Sequence, residues 1–503
     1  MSEATSNRPH PLRLSSPLAW VMLGLLFVAM VNSYIDRGNI SYAIGFISEE
    51  FQFGKEARGW VFSIFLLGYA LMQIPAGQLV DRFGIKWSYT VGYLIWGLVA
   101  ATFGLTHTLW QLLALRFMLG VFESVSGPAS IAFIARYFDP AHRGLASGIF
   151  LAGTKIGPAI GAIVAVYLID LYGWRNLFVI CGLVPLTWLV PWLLGYWLIE
   201  RAEARGAVES TSQSTATASK PAAVPLAHLL QFRQTWGIYL GYFCYGYTWY
   251  LYINWFPSYL QEAHGMSLTA AGWWSAFSYG GLAVVTILAG WFSDLFVQAR
   301  GKQLVQRMAI SAVVLLGLIA SGLPIAKYFM AQKGTTLPPE LSTILFGAAL
   351  GFFVVVGLVL GVAEWLVRRG ADRLAVRKCF IVTGFLLGAL VIPVPFIHQL
   401  EVVKGLLLVA IAGTGFATAN TWAVTQTVAP TGAVGTMSGI QNFGATSGGF
   451  LGPLVTGYLV KATDSYAPAL ILAGVLMLAG IFSYLFLIPK LDRIPNPPQP
   501  TNA

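Results

Sequence analysis

Tyr34-Ile35-Asp36-Arg37-Gly38-Asn39 interrupts an apolar run that starts at Trp20, and the chain returns to apolar residues through Ile40-Ser41-Tyr42-Ala43-Ile44. An acid and a base therefore stand side by side inside a helical pattern that continues to Ile47, at or near bilayer depth. A charge at that depth is expensive and marks function by default. The alternative is that Asp36-Arg37 marks the aqueous edge of a short span. The rest of the chain is read as the supplier of partners for this pair.

Of the 503 residues, 57% are hydrophobic and 10% charged, which excludes a soluble enzyme. Repeated stretches of about 20 apolar residues, enough to cross a hydrocarbon core of roughly 30 Å, predict an all-α polytopic membrane protein. The net charge of +10 does not point to nucleic acid, because Lys and Arg sit in short runs between apolar spans, as cytoplasmic loops do. Cys181, Cys244 and Cys379 lie in or beside apolar segments and read as core residues, with no disulfide framework. No metal site and no cofactor is expected.

Residues 1–16 are polar and carry Arg8, His10 and Arg13, so they are read as a cytoplasmic segment before a retained first span. Spans are expected near 17–42, 59–80, 87–107, 110–134, 144–170 and 175–199, forming an N-terminal six-helix bundle over 17–199. Asp81-Arg82-Phe83-Gly84-Ile85-Lys86 and Arg136 to Arg143 read as short basic loops on one side. Residues 200–233 turn to Ala, Ser, Thr and Glu, a composition that buries no core and reads as a flexible cytoplasmic linker. A C-terminal bundle over 234–490 follows, with spans near 235–260, 269–292, 379–398, 404–428, 436–460 and 467–489, and a tail at 491–503. Two further apolar runs, 308–330 and 343–366, form an inserted hairpin over 308–366, for about 14 spans in all. A re-entrant or surface-lying pair is the alternative for that hairpin. Both termini are expected in the cytoplasm. Gly77-Gln78-Leu79-Val80-Asp81 is echoed by Gly290-Trp291-Phe292-Ser293-Asp294 after the second span of each half. Repeated units with a site at their midplane are a transporter plan.

The stretch from Gly77 to Lys86 resembles the loop between the second and third spans of the major facilitator superfamily. The resemblance implies two six-helix bundles, with Asp81 and Arg82 as a cytoplasmic gating latch and Asp294 as its second-half counterpart. Within that superfamily the chain is similar to the anion:cation symporter branch, which includes bacterial sugar-acid carriers and the relatives of sialin and the vesicular glutamate transporters. Tyr34 to Asn39, Arg116-Phe117-Met118-Leu119-Gly120-Val121-Phe122-Glu123, Tyr250 to Leu260, and Gly439-Ile440-Gln441-Asn442-Phe443 carry this likeness. Three places depart from the pattern. The loop Ala429 to Gly435 lacks a basic residue, Asp294 lacks a following Arg, and Lys155 stands where a neutral polar residue is expected.

Carrying an organic anion against its gradient takes a cation for the carboxylate and an acid whose proton binding is coupled to it. Arg37 presents a planar fork for bidentate carboxylate contact, and the resemblance implies that it binds the substrate. Asp36 and Glu123 are the proton carriers in this reading: a poorly hydrated cavity favours the protonated carboxyl group and a nearby Arg opposes that. Arg116 shares a face with Glu123, seven residues on, and either orients it or lines the path to Asp36. A purely structural ion pair between the first and fourth spans is the alternative. Tyr34, Tyr69, Thr154, Trp422 and Asn442 stand where related carriers place substrate contacts, and Lys155 is a candidate for a second carboxylate. The expectation is a proton-coupled symporter of a small organic anion, a sugar acid such as an aldonate, aldarate or uronate. It is placed in the inner membrane as a monomer, with the hairpin as a candidate contact surface and no nucleic-acid partner. Exchange of one anion for another, and a receptor that binds without transport, remain open at this point.

Overall fold

The computed structural model describes residues 17–138, 140–204, 224–298, 305–310, 341–430 and 433–497, with residues 313, 317, 320 and 324 besides. Helices account for nearly all of the described chain. In the first half they are α1 (Pro17–Glu50), α2 (Lys55–Thr102), α3 (Leu109–Glu123), α4 (Ser126–Tyr137), α5 (Pro140–Leu183) and α6 (Leu189–Ala204). A single turn, α7 (Leu226–Leu229), precedes α8 (Arg233–His264), α9 (Leu268–Val297), α10 (Leu341–Arg368), α11 (Ala375–Gly388), α12 (Leu400–Gly413), α13 (Gly415–Val428), α14 (Val434–Thr463) and α15 (Ala467–Phe482).

Helix α2 holds two expected spans, and α5 holds the span expected at 144–170 together with the start of the one expected at 175–199, which continues through α6. In α2 the turn between spans shrinks to Gly84, at φ 79° and ψ 162°, and in α5 to Gly173, at φ 79° and ψ 166°. Glycine adopts that left-handed backbone without the steric penalty a Cβ brings, so a single residue bends each helix where a loop of several residues was expected. The expected span at 110–134 is instead divided between α3 and α4. Pro128 lacks the N–H that would continue the ladder across Ser124.

Nine stretches among the described residues are long and apolar enough to cross a membrane. The first arm of α2, α8 and α14 are not among them, although α8 and α14 have 32 and 30 residues. At 1.5 Å per residue each exceeds the hydrocarbon thickness; what lowers their hydropathy is polar side chains, and these are the helices that carry Tyr69, Tyr242 and Asn442.

The chain forms two compact units. The first comprises Met1–Ala223, Ile253–Ala276 and Pro453–Asp464, and the second Val224–Tyr252, Phe277–Gly452 and Ser465–Ala503. In the first unit α1 lies along α5, and Lys55 and Arg58 of α2 both pair with Glu262 of α8, while Glu56 pairs with Lys461 at the end of α14. A ladder of rings joins α2 to the chain around α6: Tyr93 stacks on Trp188 at 4.5 Å, Trp188 on Trp192 at 4.9 Å, and Trp192 meets Tyr196 edge-on at 4.8 Å.

In the second unit Gly444 and Gly448 of α14 seat against the backbone of α8 at Tyr239 and Phe243, the close approach that small residues permit between membrane helices. The second arm of the expected hairpin is α10, whereas 308–330 lies largely outside the described residues. Phe352, Val356, Val359, Leu360 and Ala363 on one face of α10 are buried against Ala289 and Phe292 of α9, Phe380 of α11 and Phe416 of α13. Leu350, Val354, Leu358 and Val362 on the opposite face are exposed, the pattern of a helix with one side toward protein and the other toward lipid. Lipid tails are as apolar as Leu, so van der Waals packing carries this contact. Phe352 and Phe416, 5.3 Å apart, are its centre.

Candidate functional site

Asp36 and Arg37 are consecutive on α1, and a helix turns about 100° per residue, so their side chains reach different partners. Arg37 is 4% exposed and Glu123, at the end of α3, is 0% exposed. Arg37 Nε donates to Glu123 Oε1 at 2.6 Å and Nη2 stands 2.5 Å from the same oxygen. The Ser33 hydroxyl donates to that oxygen as well, whereas Glu123 Oε2 is buried with no hydrogen-bond partner. Three rings surround the guanidinium: Tyr34 at 4.4 Å, Tyr69 at 4.7 Å and Phe65 at 5.0 Å. A desolvated guanidinium over aromatic faces gains cation–π attraction, which holds the cation in place without consuming its N–H groups.

Asp36 turns to the other side of α1. Its Oδ2 accepts from Trp96 Nε1 at 2.8 Å and from Asn32 Nδ2 at 3.3 Å. Arg116, 1% exposed, donates through Nε to the Val61 carbonyl at 3.1 Å and lies 5.1 Å from the Phe65 ring, while its Nη1 has no hydrogen-bond partner. The guanidinium thus braces α2 against α3 instead of clamping Glu123. Lys155 is 9% exposed on α5. Its neighbours Gly153 and Gly157 seat on Met30 and on Val31 and Tyr34 of α1, so position 155 is level with Met30 and Val31, nearly two helical turns from Arg37 along α1. Thr154, beside it, spends its hydroxyl on Leu151 O at 2.8 Å.

Of the remaining candidates, Trp422, Asn442 and Asp294 lie in the second unit, and Asp81 and Arg82 in the first. Trp422 Nε1 donates to the Tyr242 hydroxyl at 2.8 Å, Thr418 Oγ1 donates to the Tyr245 hydroxyl at 3.0 Å, and the two tyrosines stack 5.2 Å apart. Asn442 is half-buried on α14, next to Gln441, whose side-chain amide is fully buried with neither its nitrogen nor its oxygen hydrogen-bonded. Asp294 pairs with Arg377 of α11 at 2.9 Å, so the missing adjacent Arg is replaced from another helix. Asp81 and Arg82 are exposed at the Gly84 bend; Arg82 lies 5.3 Å from the Phe83 ring, and among the described residues neither forms an ion pair.

In the first unit the structure therefore brings together Arg37, Glu123, Tyr34 and Tyr69, and sets Asp36 apart on its own donors. Ser33, Phe65, Asn32, Trp96, Tyr242 and Tyr245 escaped the sequence reading. A signal exists for three of them, since Asn32, Ser33 and Phe65 stand four residues before Asp36, Arg37 and Tyr69, one helical turn away. Trp96 and the tyrosines of α8 offered none, being a few among 17 Trp and 21 Tyr.

Comparison with known proteins gives this arrangement a context. The D-galactonate transporter of Escherichia coli O6:H1 is 25% identical over 487 residues, spanning 94% of this chain and 96% of the relative. The probable galactarate/D-glucarate transporter GarP of Escherichia coli K12 is 26% identical, spanning 94% and 96%. The probable sulfoacetate transporter SauU of Cupriavidus necator is 28% identical, spanning 94% of each chain. The fold matches a bacterial homolog of the human lysosomal transporter Spinster, in an inward-facing and occupied conformation, with a TM-score of 0.62, 16% identity, and coverage of 94% of this chain and 98% of that one. The Major Facilitator Superfamily model matches residues 26–364 and 338–503. With nearly the whole chain matched, a helical fold shared with a solved transporter, and buried charges on its helices, the protein belongs to the Major Facilitator Superfamily.

Proposed function

We propose that the protein is a proton-coupled symporter of a small organic anion, a sugar acid of the aldonate, aldarate or uronate type, working by alternating access of two six-helix bundles in the inner membrane with both termini cytoplasmic. The observation that carries this reading is the Arg37–Glu123 pair. Arg37 is a buried cation whose counter-ion is itself a titratable carboxylate. An incoming carboxylate competes with Glu123 for the fork, and a proton on Glu123 weakens its hold and frees the fork for substrate. Anion binding and proton binding then favour each other with no covalent step. Asp36 is the second proton carrier, outside the Arg37 cluster. The relatives named for galactonate and for galactarate or glucarate support the substrate class.

Tyr34, Tyr69, Trp422 and Asn442 are the candidates for reading substrate hydroxyls, with Asp81, Arg82 and Asp294 in the gates. Lys155, buried like Arg37 and Arg116, is assigned a second carboxylate, which favours dianionic acids; Lys155→Gln is expected to narrow the preference for diacids over monoacids, and an unchanged preference removes this role. The test of the whole is uptake of labelled galactonate, glucuronate and tartrate into vesicles of purified protein, with and without an inward proton gradient. Gradient-driven uptake is expected for the wild type and lost in Asp36→Asn and Arg37→Gln. Uptake insensitive to the gradient but stimulated by internal anion would replace symport with exchange.

A further inference from the structure

We propose that Trp96 is a positioning residue for Asp36: its indole N–H fixes which carboxylate oxygen takes the proton and sets the pH at which that proton is released. The inference rests on Asp36 as a proton carrier, and deepens that reading. Trp96 is 1% exposed and Asp36 is 4% exposed, so neither group has water to fall back on. An indole N–H can only donate. Asp36 Oδ2 receives that N–H at 2.8 Å and the Asn32 amide at 3.3 Å. With two donors aimed at Oδ2, that oxygen stays the acceptor in both protonation states, and a proton on Asp36 resides on Oδ1.

The indole is held by its neighbours. Tyr93 meets it edge-on at 4.6 Å and is itself stacked on Trp188, whose own N–H is bound to Leu25 O at 2.8 Å. Leu25 lies on α1, the helix that carries Asp36, so the ring stack that holds the indole is tied to the same helix as the carboxylate it serves. A carboxylate deprived of such a donor holds its proton more tightly. The other titratable groups that reach Asp36 are Glu123 and Arg116 of α3, Tyr93 of α2 and Cys181 of α5. Lys155 is the buried cation on α5, and Arg37 is the neighbour on α1 itself.

The test follows the carboxyl C=O stretch by infrared difference spectroscopy on the full chain in lipid discs across pH, with no substrate present. The band absent from Asp36→Asn belongs to Asp36. In Trp96→Phe, which keeps the ring packing and deletes the donor, its titration midpoint is expected to move up by about one pH unit, tenfold in proton affinity. Asn32→Leu removes the longer of the two hydrogen bonds and is expected to move the midpoint the same way by less, which keeps the test open if Trp96→Phe does not fold. A folded Trp96→Phe with an unmoved midpoint overturns the proposal, as does an unmoved midpoint in Asn32→Leu when Trp96→Phe cannot be measured. The pH of half-maximal uptake is expected to shift with the infrared midpoint. An infrared shift that uptake does not follow leaves Trp96 as the positioning residue and refutes proton carriage by Asp36.

Discussion

Gly120→Ala tests whether the Arg37 cluster depends on how closely α2 and α3 approach. A Cβ at position 120 would stand 2.0 Å from the Phe65 carbonyl oxygen and 2.8 Å from the Tyr69 amide nitrogen. Ordinary contact begins near 3.4 Å, so the helices must part by about 1.4 Å, and the obstructing atoms are backbone, which cannot rotate away. Gly68, whose Cβ would stand 2.3 Å from Phe117 O, marks the same contact from the other side. Phe65 and Tyr69 carry two of the rings over Arg37, and Glu123 lies one turn beyond Gly120. Parting the helices therefore draws the aromatic platform away from the carboxylate that shares Arg37 with it.

Overpacking costs about 1–3 kcal/mol, offset by about 1 kcal/mol from the better helix propensity of Ala, so the loss of stability is modest. The loss of transport is larger, since about 1 Å of misplacement at a site costs on the order of 100-fold. Uptake into vesicles and melting in detergent measure both. Gly45→Ala is the control: nothing lies within 4 Å of its added Cβ, so it is expected to melt slightly higher and transport normally. A Gly120→Ala protein indistinguishable from Gly45→Ala in both assays would refute the reasoning.

Glu123→Gln keeps an acceptor for Ser33 and Arg37 but leaves a buried cation without its counter-ion, a loss of about 3–5 kcal/mol. A substrate carboxylate at Arg37 restores that counter-ion, so the transported acid is expected to raise the melting temperature of Glu123→Gln more than that of the wild type; a smaller rise would argue against anion binding at Arg37. At the helix ends, hydrogen bonding to Lys461 holds the Glu56 carboxyl below its ordinary value of 4.5, and Glu56 holds the Lys461 ammonium above 10.5. Glu56 therefore contributes fully above about pH 4.5 and loses its contribution as pH falls through its lowered folded value, while Lys461 contributes until pH rises through its raised one. The melting difference between wild type and Glu56→Gln is expected to stay level from pH 8 down to about 4.5 and to close below it; a difference already closing at pH 6 would assign it to other groups.

Much of this protein is legible in one dimension because a bilayer admits few solutions. Every backbone polar group in hydrocarbon needs an internal partner, so apolar runs of spanning length become helices, and the charges among them, Asp36, Arg37, Arg116, Glu123 and Lys155, stand out as candidates. The glycine at position 84 likewise marks a bend wherever the helices end up. Partner choice is different, because it depends on rotation about each helix axis and on which helices touch. Residue spacing alone leaves Arg116 and Arg37 equivalent as partners for Glu123, yet the folded chain gives Glu123 to Arg37 and turns Arg116 onto the Val61 carbonyl. The same rotation separates Asp36 from its sequence neighbour and hands it to Trp96, 60 residues away. Composition and periodicity decide which side chains are buried; only the packed helices decide which of them meet, since a hydrogen bond requires its partners within about 3 Å and sequence distance sets no such limit.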